Sequence, residues 1–264
     1  MNDSSLLVEI KDSIAYVTLN RPSVLNAMDE QMMKQITQTF STLSEEKSVR
    51  AIVLNSVGKG FCAGADLNWM KGMANYSYEE NVKDSQLLLN CFESIYSCPK
   101  PVICVVQGYA FGGGLGLIAA SDIVIADKQK SLFCFSEATL GIIPSVISGY
   151  VGKRMSSSKM RKLFLTAERF DANSAYDFGL VDEVVDEKNL QERIDFYIKL
   201  LKKVGPLAVG EVKKLVDCFV DLDEKDFKMH SVKTIARLRV SKEGQEGIAA
   251  FLQKRKPKWV EESS

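Results

Sequence analysis

The sequence has a single histidine, no excess charge of either sign and no long apolar run. Its 34 Lys and Arg residues balance 34 Asp and Glu residues, so the formal net charge is zero and no overall field attracts nucleic acid or anionic lipid. The first twenty residues include Asp3, Glu9 and Asp12 and contain no segment typical of a signal peptide or membrane span. We therefore expect a cytoplasmic protein that binds neither DNA nor membranes.

Nucleophilic catalysis and zinc binding also have little support. Because His230 is the only histidine, Ser-His-Asp or Cys-His chemistry would depend on it alone. It lies in a segment of helical character, which favours a solvated helix histidine instead. The six cysteines form no C-x-x-C pair, and several lie in apolar runs, where a thiol behaves as a small hydrophobic group. We expect a reducing compartment and neither a metal nor a redox cofactor.

Strand and helix patterns alternate through most of the chain, which predicts an α/β fold with parallel strands and right-handed crossovers. Period-two and continuous apolar runs predict strands over 7–10, 14–19, 51–54, 102–106 and 123–126. Apolar residues every three or four positions predict helices over 29–47 and 78–96, and a short helix is expected after the glycines at 112–116.

Strand patterns stop at about residue 187. Four segments of helical periodicity follow, over 190–201, 208–220, 227–240 and 244–252. We therefore divide the chain into an α/β core over 1–187, which holds the site, and an all-helical region over 188–264.

Three segments carry residues suited to chemistry. Gly58 to Leu67 follows a strand, and its small residues let a ligand approach backbone N–H groups closely. Gln107 to Gly116 lies between a strand and a helix, where unpaired N–H groups and the helix dipole favour negative charge. In the third segment, Glu137 stands among apolar residues, and burial would raise its pKa towards the range useful for acid–base catalysis.

Other interpretations of these segments are open. The first is compatible with a tight turn that binds nothing, and Glu137 with a surface turn. A dinucleotide-binding fingerprint starting at Gly112 fails, because it needs glycine where the chain has Leu117. A Walker loop fails as well, because Lys59 is followed by Gly60 instead of Ser or Thr.

Further motifs accompany these segments. They are Asn20-Arg21-Pro22, Leu25-Asn26-Ala27, Cys62-Ala63-Gly64-Ala65-Asp66, Gly112-Gly113-Gly114, Glu137 with Leu140 to Pro144, Ala175 to Val181, Glu243 to Gly247, Phe251, and Lys254 to Pro257. In this order the set resembles the crotonase, or enoyl-CoA hydratase/isomerase, superfamily. The resemblance spans nearly the whole chain.

The resemblance implies a crotonase-like superhelix of ββα units closed by C-terminal helices that form a homotrimer, often paired as a hexamer. It implies an acyl-CoA thioester as substrate, with coenzyme A as part of that substrate and no separate cofactor. The backbone N–H groups of Ala65 and Gly113 would form the oxyanion hole, where losing one donor typically costs roughly 3 to 4 kcal/mol.

The resemblance also suggests residues that contact the substrate. They are Ala27, Ala63, Asp66, Leu67 and Gly116 within the core, and Phe251 and Lys254 in the C-terminal region. Phe251 and Lys254 are three positions apart, so on a helix they would share one face. They could then offer an aromatic surface to adenine and a cation to the phosphates of a neighbouring subunit's coenzyme A.

One position departs from the family pattern. Typical enoyl-CoA hydratases carry a glutamate where this chain has Gly116, whereas the second family glutamate aligns with Glu137. Three reactions with a single carboxylate therefore remain open: hydration with Glu137 as base and acid in turn, double-bond isomerisation, and dehydration of a branched acyl group. We expect Gly116 to open volume beside the acyl β-carbon for such a branch.

A closer resemblance favours one of them. Ala65 to Met70, Pro144 to Ser148 and Arg237 to Gly247 look like the bacterial methylglutaconyl-CoA hydratases of leucine breakdown, which also tend to lack the first glutamate. The reaction would convert 3-methylglutaconyl-CoA to 3-hydroxy-3-methylglutaryl-CoA. Polyketide β-branching dehydratases run the reverse chemistry on a carrier protein, so direction and carrier stay open.

A non-enzymatic alternative also exists. Gly116 in place of the glutamate is compatible with a decayed crotonase scaffold that binds coenzyme A or RNA. The basic cluster that would contact RNA consists of Lys254, Arg255, Lys256 and Lys258.

Overall fold

The computed structural model describes residues 4–260, which form ten strands and eleven α-helices. The strands are β1 Leu6–Lys11, β2 Ile14–Leu19, β3 Ala51–Ser56, β4 Gly60–Cys62, β5 Val102–Val106, β6 Tyr109–Phe111, β7 Ile123–Asp127, β8 Leu132–Cys134, β9 Phe170–Asp171 and β10 Glu183–Val185. The helices are α1 Glu30–Glu45, α2 Leu67–Met73, α3 Tyr78–Tyr96, α4 Gly113–Ala119, α5 Ser145–Gly152, α6 Ser157–Thr166, α7 Ala172–Asp177, α8 Leu190–Leu201, α9 Pro206–Asp221, α10 Glu224–Arg239 and α11 Lys242–Leu252.

The larger sheet has six strands in the order β1-β2-β3-β5-β7-β10. Strands β1 and β2 form an antiparallel hairpin, and every other pairing in this sheet is parallel, as predicted. Ile52 and Leu54 of β3 face the main core, whereas Val53 between them faces a second cluster that includes Leu190 and Ile194 of α8. Burial on both faces explains why these strands read as continuous apolar runs.

A second, smaller sheet has the order β4-β6-β8-β9. Strands β4, β6 and β8 run parallel to one another, and β9 is antiparallel to β8. The sequence patterns did not predict this sheet, because strands of two or three residues are too short to show a period.

Most of the predicted helices are present. Helix α3 has the predicted bounds, and α1 begins after Asp29, whose carboxylate accepts the Met32 N–H at 2.8 Å. The short helix expected after the glycine cluster is displaced, because α4 begins at Gly113, inside that cluster. After β10 ends at Val185, the remaining elements up to residue 260 are helical.

Two structural findings concern the cysteines and the possibility of a membrane-spanning helix. The six cysteines are free thiols, and five of them are buried. Across residues 4–260, none of the helices combines the length and the apolar character needed to cross a membrane.

Candidate active site

The three segments singled out by sequence follow three strands of the smaller sheet. Residues 63–65 follow β4, Gly112 follows β6, and Glu137 comes three residues after the end of β8. Since β4, β6 and β8 are parallel, their carboxyl ends lie at one edge of the sheet, where α/β proteins commonly bind ligands. The smaller sheet therefore brings the three segments together.

Close backbone approaches confirm this convergence. A Cβ on Gly64, whose φ is +91°, would lie 3.0 Å from the carbonyl oxygen of Phe111. A Cβ on Gly112, whose φ is +48°, would lie 3.5 Å from Oε1 of Glu137. Both glycines adopt backbone angles that L side chains rarely adopt, and both stand where neighbouring segments touch.

Two backbone N–H groups at this edge are available to a ligand. Met28 donates its N–H to the Gly64 oxygen at 2.7 Å and accepts the Asp66 N–H at 2.8 Å, which leaves the intervening Ala65 N–H directed elsewhere. Gly113 is the first residue of α4, a position whose N–H has no intrahelical partner. Within residues 4–260, neither N–H has a protein acceptor.

Glu137 is a partly buried carboxyl group with an unused oxygen. It opens a 3₁₀ turn over Glu137–Leu140 that ends at Gly141 in the left-handed conformation. Its Oε2 is buried and has no hydrogen-bond partner among the described residues. Burial raises the pKa of Glu137 above its ordinary value, against a smaller lowering effect from a backbone hydrogen bond. A raised pKa makes this carboxyl group easier to protonate, as an acid–base catalyst requires.

Arg21 joins two of the loops around the site. Its Nη2 lies 3.0 Å from a carboxylate oxygen of Asp29 and 3.0 Å from one of Asp66, and its Nη1 donates to the Ala27 oxygen at 2.5 Å. Through Arg21, the Asn20-Arg21-Pro22 motif thus holds the backbone next to Ala65.

The carboxylate of Asp66 is bound within the protein. One carboxylate oxygen accepts two N–H groups in the first turn of α2, and the other pairs with Arg21. Burial would raise the pKa of Asp66, but these hydrogen bonds and the Arg21 charge outweigh it and lower that pKa. Both carboxylate oxygens therefore have partners within the protein, and the substrate contact expected of Asp66 stays a prediction.

Asn26 is a structural residue that sequence reasoning had not separated from its motif. Its side chain is fully buried and donates to the carbonyl oxygens of Val57 and Gly60, each at 2.8 Å. Its φ of +55° is one that asparagine tolerates better than most residues, which is the signal that could have identified it. The neighbouring Ala27 is buried, and the Ala63 N–H donates to the Leu25 oxygen at 3.0 Å.

Leu67 is the most accessible of the expected substrate contacts in the core. It is the first residue of α2, and its side chain is 74% exposed.

The expectation of open volume beside Gly116 is wrong. A Cβ on this residue would lie 2.5 Å from Cζ of Phe92 and 2.6 Å from Cγ2 of Ile147. The space that a side chain at position 116 would occupy is therefore filled by residues of α3 and α5. Sequence reasoning could not find them, because neither residue is near position 116 in the chain.

The helical premise for Phe251 and Lys254 is also wrong. Helix α11 ends at Leu252, and Lys254 has a φ of +54° in the turn that follows. Phe251 is 83% exposed, so it does not belong to the core of a single chain. In the adjacent basic cluster, Arg255 pairs with Glu246 at 2.7 Å.

His230 lies on α10, where its ring is 3.3 Å from the hydroxyl of Thr234 on the same helix. It is partly buried, whereas the sequence favoured a solvated position.

Comparison with known proteins identifies the family. Residues 9–262 match the enoyl-CoA hydratase/isomerase family. The chain belongs to this family. A solved enoyl-CoA hydratase from Shewanella pealeana is 37% identical, with a TM-score of 0.93 over 98% of this chain and 97% of that one. A solved enoyl-CoA hydratase from Mycobacterium smegmatis is 31% identical, with a TM-score of 0.90 over 97% and 99% of the two chains.

The family includes relatives of more than one activity. The 1,2-epoxyphenylacetyl-CoA isomerase of Escherichia coli K12 is 28% identical over 97% of this chain and 98% of its own length. The predicted crotonase superfamily and its α/β fold are confirmed. The chain is an enzyme of the enoyl-CoA hydratase/isomerase type.

Proposed function

We propose that this family member is a hydratase of a branched enoyl-CoA and converts 3-methylglutaconyl-CoA to 3-hydroxy-3-methylglutaryl-CoA. The observation that carries the single-carboxylate chemistry is the buried, unpartnered Oε2 of Glu137 beside Gly112. Position 116 supplies no second carboxylate, because it is glycine, and Phe92 and Ile147 fill the space beside it. The choice of acyl group follows from the motifs around Asp66, Ser145 and Gly244 that resemble methylglutaconyl-CoA hydratases.

In this reaction the Ala65 and Gly113 N–H groups donate to the thioester oxygen. Glu137 takes a proton from water as the water oxygen bonds to the β-carbon, and the electrons of the double bond move towards the thioester to form an enolate. The two donors stabilise the charge that develops on the oxygen, each contributing roughly 3 to 4 kcal/mol. Glu137 then returns the proton to the α-carbon, so one carboxyl group acts as base and acid in turn.

A second candidate reaction is double-bond isomerisation. It also needs one carboxylate that removes a proton from one carbon and returns it to another, and the matching family is described as enoyl-CoA hydratase/isomerase. Dehydration is the reverse of the proposed reaction and uses the same groups. Coenzyme A enters each of these reactions as part of the substrate.

We further propose that the C-terminal helices join copies of the chain into a homotrimer, or a hexamer of two trimers. Helix α9 exposes Val212, Val216 and Phe219 at spacings of four and three residues, and α10 exposes Val232 and Ile235. Such spacings place each set on one helix face. Contiguous exposed apolar surface of this kind is typical of an interface.

In this assembly, Phe251 would contact the adenine of a coenzyme A bound to a neighbouring subunit. Its 83% exposure leaves the ring accessible for that contact. Lys254 would approach the phosphates from the turn that follows α11.

Replacement of Glu137 by glutamine tests the proposed reaction. Glu137→Gln keeps the shape of the side chain but removes the base, so turnover should fall by about 100-fold or more, while binding of CoA esters is retained. The measurement is spectrophotometric turnover of an enoyl-CoA panel that includes methylglutaconyl-CoA and crotonyl-CoA, run in both directions. Glu192→Gln, an exposed glutamate on α8, is the matched control.

Two results would contradict parts of this proposal. Turnover of Glu137→Gln within a few-fold of the parent would remove Glu137 from the chemistry. A parent enzyme that prefers crotonyl-CoA to methylglutaconyl-CoA would remove the branched substrate and leave the carboxylate chemistry in place.

A further inference from the structure

A buried aromatic ring covers the first turn of α4. Phe92 has no exposed surface, and its Cζ would lie 2.5 Å from a Cβ on Gly116 and 3.9 Å from a Cβ on Gly113. The same ring therefore spans the helical turn that begins at the proposed donor, Gly113. Ile147, which is also buried, approaches Gly116 from α5.

The Phe92 ring packs against a second aromatic ring, that of Tyr150. It makes an edge contact with Tyr150, with ring centroids 6.1 Å apart and an interplanar angle of 70°. The Tyr150 hydroxyl donates to the Glu93 carboxylate at 2.8 Å, so the supporting ring is itself fixed. These contacts hold the Phe92 ring in one orientation.

An open groove lies near this ring, on the surface formed by α3 and α5. The groove has a volume of about 580 Å³ and is lined by Val82, Leu89, Val146 and other residues. Leu89 precedes Phe92 by one helical turn, and Val146 directly precedes Ile147. A Cβ on Gly149, which also lines the groove, would meet nothing within 4 Å.

We propose that Phe92 is the specificity-determining residue that limits the length of the acyl group. This inference rests on the proposed function, because the Gly113 N–H must bind the thioester oxygen. Gly116 lies about 4.5 Å farther along α4 at 1.5 Å per residue. An acyl chain that runs from the thioester along this helix meets the Phe92 ring within one turn.

The chain-length profile of acyl-CoA binding tests this proposal. We would measure the affinities of butyryl-, hexanoyl-, octanoyl- and decanoyl-CoA by calorimetry for the parent, Phe92→Leu and Phe92→Ala. The parent should bind octanoyl-CoA no better than butyryl-CoA. Truncation removes the ring that stops a longer chain, so the ratio of octanoyl to butyryl affinity should rise at least about tenfold in Phe92→Ala, with Phe92→Leu intermediate.

The control is Phe40→Leu, which truncates an equally buried phenylalanine on α1. It should lower the melting temperature but keep the parent's chain-length profile. If Phe92→Ala does not fold, Phe92→Leu decides the outcome. A folded Phe92 variant with the parent's profile overturns the proposal.

These binding measurements are independent of turnover, because saturated esters have no double bond to hydrate. A parent that binds butyryl-CoA but turns over no enoyl-CoA would overturn the proposed function alone. An unchanged chain-length profile with normal turnover would overturn the role of Phe92 alone.

A double substitution tests the contact between Phe92 and position 116. Gly116→Glu alone should lower the melting temperature, because its Cβ would lie 2.5 Å from the Phe92 ring. The same substitution in Phe92→Ala should lower it less, because the ring is gone. If Gly116→Glu lowers the melting temperature equally in the parent and in Phe92→Ala, Phe92 does not occupy the space beside Gly116.

Discussion

Glu137 is an unfavourable residue for stability at neutral pH. Its buried Oε2 has no hydrogen-bond partner among the described residues, and a buried carboxylate without a partner loses hydration that nothing in the protein replaces. Groups of this kind concentrate at functional sites, where a shifted pKa is useful. The same burial that destabilises the charged form would make Glu137 a base and acid near neutral pH.

Replacing Glu137 should therefore increase stability. Burial raises the pKa of Glu137 above its ordinary 4.5, so from pH 4.5 up to the folded-state pKa the native protein binds more protons than the unfolded chain, and stability falls as pH rises. We expect Glu137→Gln to unfold at a higher urea concentration than the parent at pH 8, and this advantage to vanish as the pH falls to 4.5. Urea denaturation of both proteins between pH 4.5 and pH 8 measures this difference in stability.

Glu192→Gln should show no such pH-dependent gain, because Glu192 is exposed. Parent and Glu137→Gln curves that coincide at pH 8 would contradict the assignment of a destabilising buried charge.

At the scale of elements, the smaller sheet organises the site. Strands β4, β6 and β8 have only three residues each, so their position depends on the loops and helices around them. Arg21 is central to this support, because it joins the loop before α1 to the start of α2. Arg21 pairs with Asp66, and Ala65, whose N–H is a proposed oxyanion donor, is the residue before Asp66.

Arg21→Ala should reduce both stability and turnover. It leaves the carboxylate of Asp66 without its ionic partner in a part-buried pair, so the free energy of unfolding should fall by more than the roughly 1 kcal/mol that a surface pair contributes. The displaced backbone at Ala65 would bind the transition state less well, so kcat should fall. Urea denaturation and steady-state kinetics measure the two effects.

Lys34→Ala is the matched control, because Lys34 pairs with Glu30 at the surface of α1. Surface pairs contribute about 1 kcal/mol or less, so this variant should resemble the parent. If Arg21→Ala and Lys34→Ala lose the same stability to urea and the same kcat, Arg21 has no special role in supporting the site.

At the scale of the whole molecule, the C-terminal helices expose apolar side chains that a single chain leaves in water. These side chains include Val216 and Phe219 on α9 and Ile235 on α10. The proposed oligomer would bury them, and it would also bring Phe251 to a neighbouring subunit.

Phe219→Asp should dissociate the oligomer. An exposed side chain can become charged without harm to the fold of one chain, but a charge buried in an apolar interface is unfavourable. By light scattering we expect three or six times the 29.4 kDa of the chain for the parent, and a lower mass for the variant. Val8→Asp, similarly exposed on β1, should keep the parent's mass. A fully active monomeric parent would contradict the assembly and the intersubunit role of Phe251.

Sequence patterns predicted the elements whose stabilising contacts have a local period. Helix α3 was predicted at its observed bounds because its apolar residues recur along one face, and β5 was predicted because all five of its residues are apolar and buried. The glycine-rich segments and Glu137 were identified by residue type and order, without any knowledge of their spacing in three dimensions. Local chemistry was sufficient for these features.

The tertiary structure alone decided which side chains meet. Gly116 suggested open volume, yet Phe92 and Ile147 from two other helices fill that space. Asp66 suggested a substrate contact, yet Arg21 and the start of α2 occupy its carboxylate. The sequence by itself determined the family, the α/β fold and the candidate carboxylate, because these depend on local pattern and motif order. The shape of the site and the partners of each charge depend on contacts between distant segments, which exist only once the chain has folded.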